Sequence, residues 1–224
     1  MSKEIINTIL LAGLFLFLFG LAELLYHLFK MKADITRRIV HIGTGLLTML
    51  FPLMLRNHWF VLLLCASFAL ILLLSLRFNL LHSINAIDRI SYGTLLYPVA
   101  VYGCYLAYNY FHNNVLFFYL PVLTMAICDP LAAFFGKRWP WGKFYIKRDT
   151  KTVLGSSAFF LSSIVLTIVL FYFFSPANFH INSVLSIAIL VAAAATATEA
   201  LSTKGFDNIT IPASVVLILT LVHD

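Results

Sequence analysis

The run from Ile5 to Leu28 reads IINTILLAGLFLFLFGLAELLYHL, and Glu23 is its one acidic residue. A helix needs about 20 mostly apolar residues to cross a bilayer, and this run is long enough to do so. No small-residue cleavage site follows it, so we expect a retained first membrane helix rather than a signal peptide.

Similar apolar runs recur along the chain, of which 62% is apolar and 11% charged. Soluble domains are nearer about half apolar and a quarter charged, so the excess apolar surface must face lipid. We therefore predict an all-α fold, a polytopic bundle of transmembrane helices forming a single integral membrane domain over 1–224. The seven predicted spans are 5–28, 39–55, 58–76, 92–111, 115–135, 154–175 and 183–203. A shorter run at 209–222 is either an eighth helix buried among the others or a re-entrant segment.

The basic residues predict the orientation. If the N-terminus lies outside, all but two of the 15 lysines and arginines fall in inside loops, the exceptions being Lys3 and Arg56. The positive-inside rule then places these loops in the cytoplasm, in a protein integral to the cell membrane. Because the basic residues lie between apolar runs, the net charge of +6 indicates no nucleic-acid partner. The sequence indicates no oligomeric state.

The longest polar stretch runs from Asp129 to Ser157. It interleaves glycines with lysines and arginines and ends at the start of an apolar helix, where free N–H groups and hydroxyls favour an anion. Asp129 lies between apolar neighbours, where a carboxylate is costly unless it has a function such as holding a divalent cation. The predicted phosphate-binding residues here are Gly136, Lys137, Lys147, Lys151, Thr152, Gly155 and Ser156. The alternative is a basic loop of snorkelling lysines in which Ser156 only caps the helix.

A second polar group contains Glu199, Asp207 and Asn208, which flank a short turn between two apolar runs. Three oxygen-bearing side chains returning to one interface suit Mg²⁺ or a general base. Asp207 and Asn208 are alternatively the cap of the last helix. Glu199 has no such capping role and is the stronger functional candidate.

A third group pairs Arg38 with His41, three residues apart and so on one helix face. The arginine could bind a phosphate and the histidine could orient a hydroxyl or phosphoryl group, although a lone interfacial histidine is often structural. Asp88 and Arg89 form a weaker group that an internal ion pair explains equally well. We also predict that Glu23 pairs with His27, one turn away.

The order of these motifs resembles a group of membrane lipid kinases that includes phytol and farnesol kinases, dolichol kinase and the CTP-dependent diacylglycerol kinase. The matching pieces are Arg37-Arg38-x-x-His41, Asp129-Pro-x-Ala-x-x-x-Gly136, Lys151-Thr152-x-x-Gly155-Ser156, Glu199, and Asp207-Asn208-x-x-x-Pro212. The length looks most similar to the phytol and farnesol kinase type.

The resemblance implies transfer of the γ-phosphoryl group of CTP, with Mg²⁺, to a lipid alcohol such as phytol, farnesol, a polyprenol or diacylglycerol. It implies catalytic roles for Asp129, Glu199, Asp207 and His41, the three carboxylates being the candidate metal ligands. Arg38 and Asn208 then join the phosphate-binding residues. Which carboxylate is the base stays open at this point.

Part of the pattern is also similar to phosphatidate cytidylyltransferase, through Asp129, Ala132, Gly136, Lys151, Thr152 and Gly155. That family carries a His-Gly-Gly…Asp-Arg-x-Asp signature near its C-terminal end, which is replaced here by the stretch from Glu199 to Asn208. A small transporter is a third reading, but it should show inverted repeats and ionisable residues near the midplane.

Overall fold

The chain is built almost entirely from helices. The computed structural model describes residues 3–78, 80–85, 92–146, 149–175 and 180–223. Within these residues the helices are α1 Lys3–Leu28, α2 Ala33–Thr48, α3 Phe51–Met54, α4 His58–Arg77, α5 His82–Asn85, α6 Gly93–Tyr110, α7 Leu116–Leu123, α8 Asp129–Arg138, α9 Val153–Phe174, α10 Ile181–Leu201 and α11 Asp207–Leu221. A π-helical segment, Thr124–Cys128, joins α7 to α8.

Five helical stretches of the described chain are long and apolar enough to cross a membrane. They are Lys3–Leu28, His58–Arg77, Leu116–Arg138, Val153–Phe174 and Ile181–Leu201. The prediction of a helical integral membrane protein is confirmed in this form, whereas the count of seven spans is not.

The two remaining predicted spans, 39–55 and 92–111, are not among these five stretches. The run 39–55 is not one helix, because α2 ends at Thr48 and α3 starts anew with Pro52 in its first turn, a position where a missing N–H is harmless. The run 92–111 is the helix α6, but Pro98 and several tyrosines make it less apolar than the other spans. Helix α11 is short, about 22 Å at 1.5 Å per residue, and packs against α10, α6 and α7.

The stretch Leu116–Arg138 forms the centre of the bundle. Its most apolar window is 78% buried inside the protein, whereas the other four spans are 22% to 33% buried. Helices α2, α6, α9 and α11 pack around it. The outer helices present exposed leucines and phenylalanines, such as Phe17 and Leu63, as a lipid-facing surface requires.

Two short strands lie between α8 and α9 in a fold that is otherwise consistent with the predicted all-α bundle. Strands β1 Lys143–Ile146 and β2 Asp149–Thr152 pair antiparallel, with Lys143 opposite Thr152 and Ile146 opposite Asp149. Their aromatic and β-branched residues favour extended backbone. The basic stretch is therefore partly a hairpin, and its second strand leads directly into α9.

Candidate active site

A cavity of about 810 Å³ lies at the end of the bundle where α2, α8 and α11 meet the hairpin. Every predicted site residue that the structure describes lines this cavity, namely Arg38, His41, Asp129, Gly136, Lys137, Lys151, Thr152, Gly155, Ser156, Glu199, Asp207 and Asn208. Lys147 lies outside the described residues, as do Asp88 and Arg89. The fold thus brings together groups that are far apart in sequence, while their individual roles stay predictions.

Lys151 and Glu199 form a buried ion pair inside the cavity. The Lys151 Nζ pairs with Glu199 Oε1 and donates to the Glu199 backbone carbonyl at 3.0 Å. Glu199 is only 5% exposed. Burial alone would lower the pKa of Lys151, but the charges of Glu199, Asp129 and Asp207 outweigh it and hold that pKa above its usual value. Lys151 therefore carries a full positive charge at neutral pH.

Three carboxylates from three different elements line the same cavity as Lys151. Glu199 lies in the last turn of α10, Asp129 opens α8, and Asp207 opens α11. Asp207 Oδ1 accepts a hydrogen bond from the Asn208 N–H at 3.0 Å. Carboxylate oxygens are the donors that Mg²⁺ prefers, so the donor set fits a divalent cation.

Two glycines allow α8 and α9 to approach closely beside the cavity. A Cβ on Gly155 would lie 2.9 Å from the Ala132 carbonyl oxygen, and one on Gly136 would lie 2.6 Å from Thr152 Oγ1. These distances leave no room for a side chain, so the glycine pattern has a packing reason of its own.

The cap of α9 is Thr152, and the alternative of a Ser156 cap is wrong. Thr152 Oγ1 accepts the Gly155 N–H at 3.0 Å, as an N-cap side chain does. Ser156 lies inside the first turns, and its buried hydroxyl makes no hydrogen bond within the described part of the chain. A buried hydroxyl left over at a cavity wall is available to a bound ligand.

His41 reaches from α2 to the central helix. Its Nε2 lies 3.1 Å from the Met125 carbonyl oxygen. A carbonyl only accepts, so Nε2 carries the proton of the neutral ring and Nδ1 keeps the lone pair. The ring also packs edge-on against Tyr97, with centroids 4.8 Å apart.

A phytol kinase from Synechocystis sp. (strain ATCC 27184 / PCC 6803 / Kazusa) is 33% identical to the chain over 197 residues, which cover 88% of this chain and 83% of the relative. The chain belongs to the phytol kinase family. This match confirms the resemblance to membrane lipid kinases of the phytol kinase type. No protein-family model and no solved structure matches the chain.

Two acidic residues line the cavity of this phytol kinase homologue without having been predicted. Asp34 accepts Lys137 Nζ at 2.8 and 2.9 Å and Arg38 at 3.1 Å, so it holds two predicted phosphate-binding side chains at the rim. The sequence signal for Asp34 is its spacing of four residues from Arg38, which puts the two side chains on one face of a helix. Asp149 accepts the Lys204 N–H at 3.1 Å and anchors the turn before Asp207.

Asn208 has a structural contact besides its place at the cavity. Its Nδ2 donates to the Gly93 carbonyl at 2.7 Å, which ties α11 to the start of α6. It lies within α11 rather than at the cap position, which Phe206 occupies. Away from the cavity, the predicted pair of Glu23 and His27 is confirmed, with 3.1 Å between Oε2 and Nε2.

Proposed function

We propose that the protein is a lipid alcohol kinase that transfers the γ-phosphoryl group of CTP, with Mg²⁺, to an isoprenoid alcohol at the cytoplasmic face of the membrane. The observation that carries this proposal is the charged Lys151 among Asp129, Glu199 and Asp207, in a cavity at one end of a membrane bundle. A metal–triphosphate complex needs both kinds of group at one place, cations for the phosphates and oxygens for the metal. Membership in the phytol kinase family supports the lipid alcohol as acceptor.

The triphosphate would bind by replacing the carboxylates that pair with the basic side chains of the cavity. Lys151 is paired with Glu199, and Arg38 and Lys137 are paired with Asp34. Phosphate oxygens accept the same N–H donors more strongly than a single carboxylate, because they carry more charge. The cavity therefore holds its cations in place until the nucleotide arrives.

Asp129 and Asp207 are the residues that would hold Mg²⁺, which neutralises charge on the phosphate oxygens when bound. Glu199 would then lose its countercharge as Lys151 turns to the triphosphate. A buried carboxylate without a cation favours protonation. Glu199 is accordingly the group we assign to accept the proton of the lipid hydroxyl.

We place the start of the lipid tail next to His41. A narrow apolar pocket of about 50 Å³ is lined by Phe15, Phe19, Phe51 and Phe68 together with Tyr97. The Tyr97 hydroxyl donates to the His41 carbonyl at 3.2 Å, so the pocket and the cavity meet at this pair. Its apolar lining suits a short hydrocarbon segment of the lipid close to the hydroxyl.

Labelled nucleotide tests the reaction. The purified protein is incubated with Mg²⁺, a panel of phytol, farnesol, a polyprenol, diacylglycerol and phosphatidate, and CTP labelled at the α or the γ phosphorus. We expect γ label in an isoprenoid alcohol and release of CDP. Label from the α position in phosphatidate would show cytidylyl transfer and overturn the kinase proposal. Transfer from ATP but not CTP would overturn the donor assignment alone, and no transfer to any acceptor would favour the transporter.

A further inference from the structure

Three side chains that could ligate a metal meet outside the cavity. Glu23 and His27 lie one turn apart near the end of α1, and His82 begins α5. One ligand atom from each lies within 4.8 Å of the other two. None of the three belongs to the described lining of the cavity, so this group is separate from the proposed phosphoryl-transfer site.

The carboxylate of Glu23 is held in a fixed orientation. Its Oε1 accepts both the N–H and the hydroxyl of Ser83, at 2.9 and 2.8 Å. Its Oε2 points to His27 Nε2, at 3.1 Å. Metal-binding side chains are commonly oriented by such outer contacts, which keep one atom directed at the ion.

The two imidazoles of the group come from different helices, His27 from α1 and His82 from α5. The rings of His27 and His82 lie 6.0 Å apart at 68°, and Tyr26 stacks on His82. Both histidines are exposed at the surface of the protein, at the end of α1 and the start of α5. The ion pair of Glu23 with His27 accounts for two members of the group but not for the position of His82.

We propose that Glu23, His27 and His82 form a binding site for a zinc-like transition-metal ion. Two imidazole nitrogens and one carboxylate oxygen are a common protein set for Zn²⁺, with a fourth position left to water. Mg²⁺ prefers oxygen ligands only, so the ion proposed for the cavity does not compete here.

Such an ion would fasten α1 to α5 and, through α5, to the cavity. The Ser83 carbonyl accepts the hydroxyl of Thr36 at 2.6 Å, which ties α5 to α2. Helix α2 carries Arg38 and His41, so the metal site supports the part of the bundle that holds one wall of the cavity.

Metal titration tests the site directly. The full-length protein, purified without a polyhistidine tag and stripped with a chelator, is titrated in detergent with Co²⁺ and with Zn²⁺ against a chelating dye, in the presence of Mg²⁺. We expect one ion per chain, a visible Co²⁺ spectrum typical of imidazole ligation, and a rise in thermal stability when Zn²⁺ binds. His82→Ala should weaken binding by about 10-fold or more, the usual effect of losing part of a metal site.

Two variants serve as controls. His112→Ala removes an exposed histidine remote in sequence from the group, and Asp129→Asn removes a carboxylate of the cavity; both should bind Zn²⁺ as the parent does. Loss of Zn²⁺ binding in Asp129→Asn would place the ion in the cavity and overturn the proposal. Unchanged binding in His82→Ala, or no binding by the parent, would overturn it as well. Gel filtration of each variant establishes that it is folded, and the titration is independent of kinase activity.

Discussion

The Nε2 of His41 lies 3.1 Å from the Met125 carbonyl oxygen, in the π-helical segment that leads into Asp129. In the i→i+5 pattern of a π-helix, the partner of the residue 125 carbonyl is the N–H of residue 130. Residue 130 is proline, which has no N–H. His41 therefore pairs with a carbonyl, buried with Met125, that has no π-type partner within the helix.

We predict that His41→Phe destabilises the protein by about 1–3 kcal/mol, because a buried carbonyl loses its donor while the aromatic packing on Tyr97 is kept. Adding Pro130→Ala should recover part of this loss by supplying the missing N–H. Adding Pro121→Ala instead should not, since Pro121 affects a different carbonyl. Unfolding in detergent measures the stability of His41→Phe and of the two double variants. Equal recovery by Pro130→Ala and Pro121→Ala would contradict the pairing of His41 with the carbonyl that Pro130 leaves without a donor.

Breaking the buried ion pair should be costly. We expect Lys151→Met to lower the free energy of unfolding by about 3 kcal/mol, because Glu199 is left buried without a countercharge. Lys151→Met with Glu199→Gln should be more stable than Lys151→Met alone. Lys137→Met removes a pair in which the lysine side chain is 62% exposed, and its effect should stay below about 1 kcal/mol. A Lys151→Met protein as stable as the parent would remove the argument for a charged lysine.

Asp129→Asn should abolish turnover while the protein stays folded. Losing one carboxylate of the proposed metal site weakens charge neutralisation in the transition state, and we expect a fall in kcat of at least about 100-fold. The control is Glu4→Gln, which changes a carboxylate that accepts the N–H groups of Arg56 and Asn57 and touches no part of the cavity. Full activity in Asp129→Asn would exclude this residue from the mechanism.

Gly155→Ala should push α8 and α9 apart. The new methyl group would meet the Ala132 carbonyl at 2.9 Å, and such overpacking costs about 1–3 kcal/mol. Gly20→Ala is the matched control, since a Cβ there meets nothing within 4 Å and alanine favours a helix. Thermal unfolding compares the two, and a neutral Gly155→Ala would show that the helices do not approach as closely as described.

Cysteine labelling tests the orientation. The native residues Cys65, Cys104 and Cys128 are buried and give little background. We predict that an impermeant thiol reagent labels Lys143→Cys only from the cytoplasmic side and His112→Cys only from the opposite side. Labelling of both positions from one side would refute the orientation inferred from the basic residues.

The apolar runs were sufficient to predict a helical membrane protein, because each long run must satisfy its own backbone hydrogen bonds in lipid. Five of the seven predicted spans are long and apolar enough to cross a membrane in the structure. The run 39–55 is divided between α2 and α3, because mean hydropathy over a run does not locate a helix end such as the one at Thr48. The hairpin was also missed, because its strands are only four residues long and lie in a stretch whose charges indicated a loop.

The sequence by itself determined which residue types gather near the helix ends, and so predicted 12 residues that line the cavity. Only the tertiary structure decided how they pair. Lys151 meets Glu199 across 48 positions and Lys137 meets Asp34 across 103, and no local period relates such pairs. The Met125 carbonyl before Asp129 likewise pairs with a histidine 84 positions away. Helical periodicity reports contacts within about one turn, whereas these contacts depend on which helices the membrane bundle packs together.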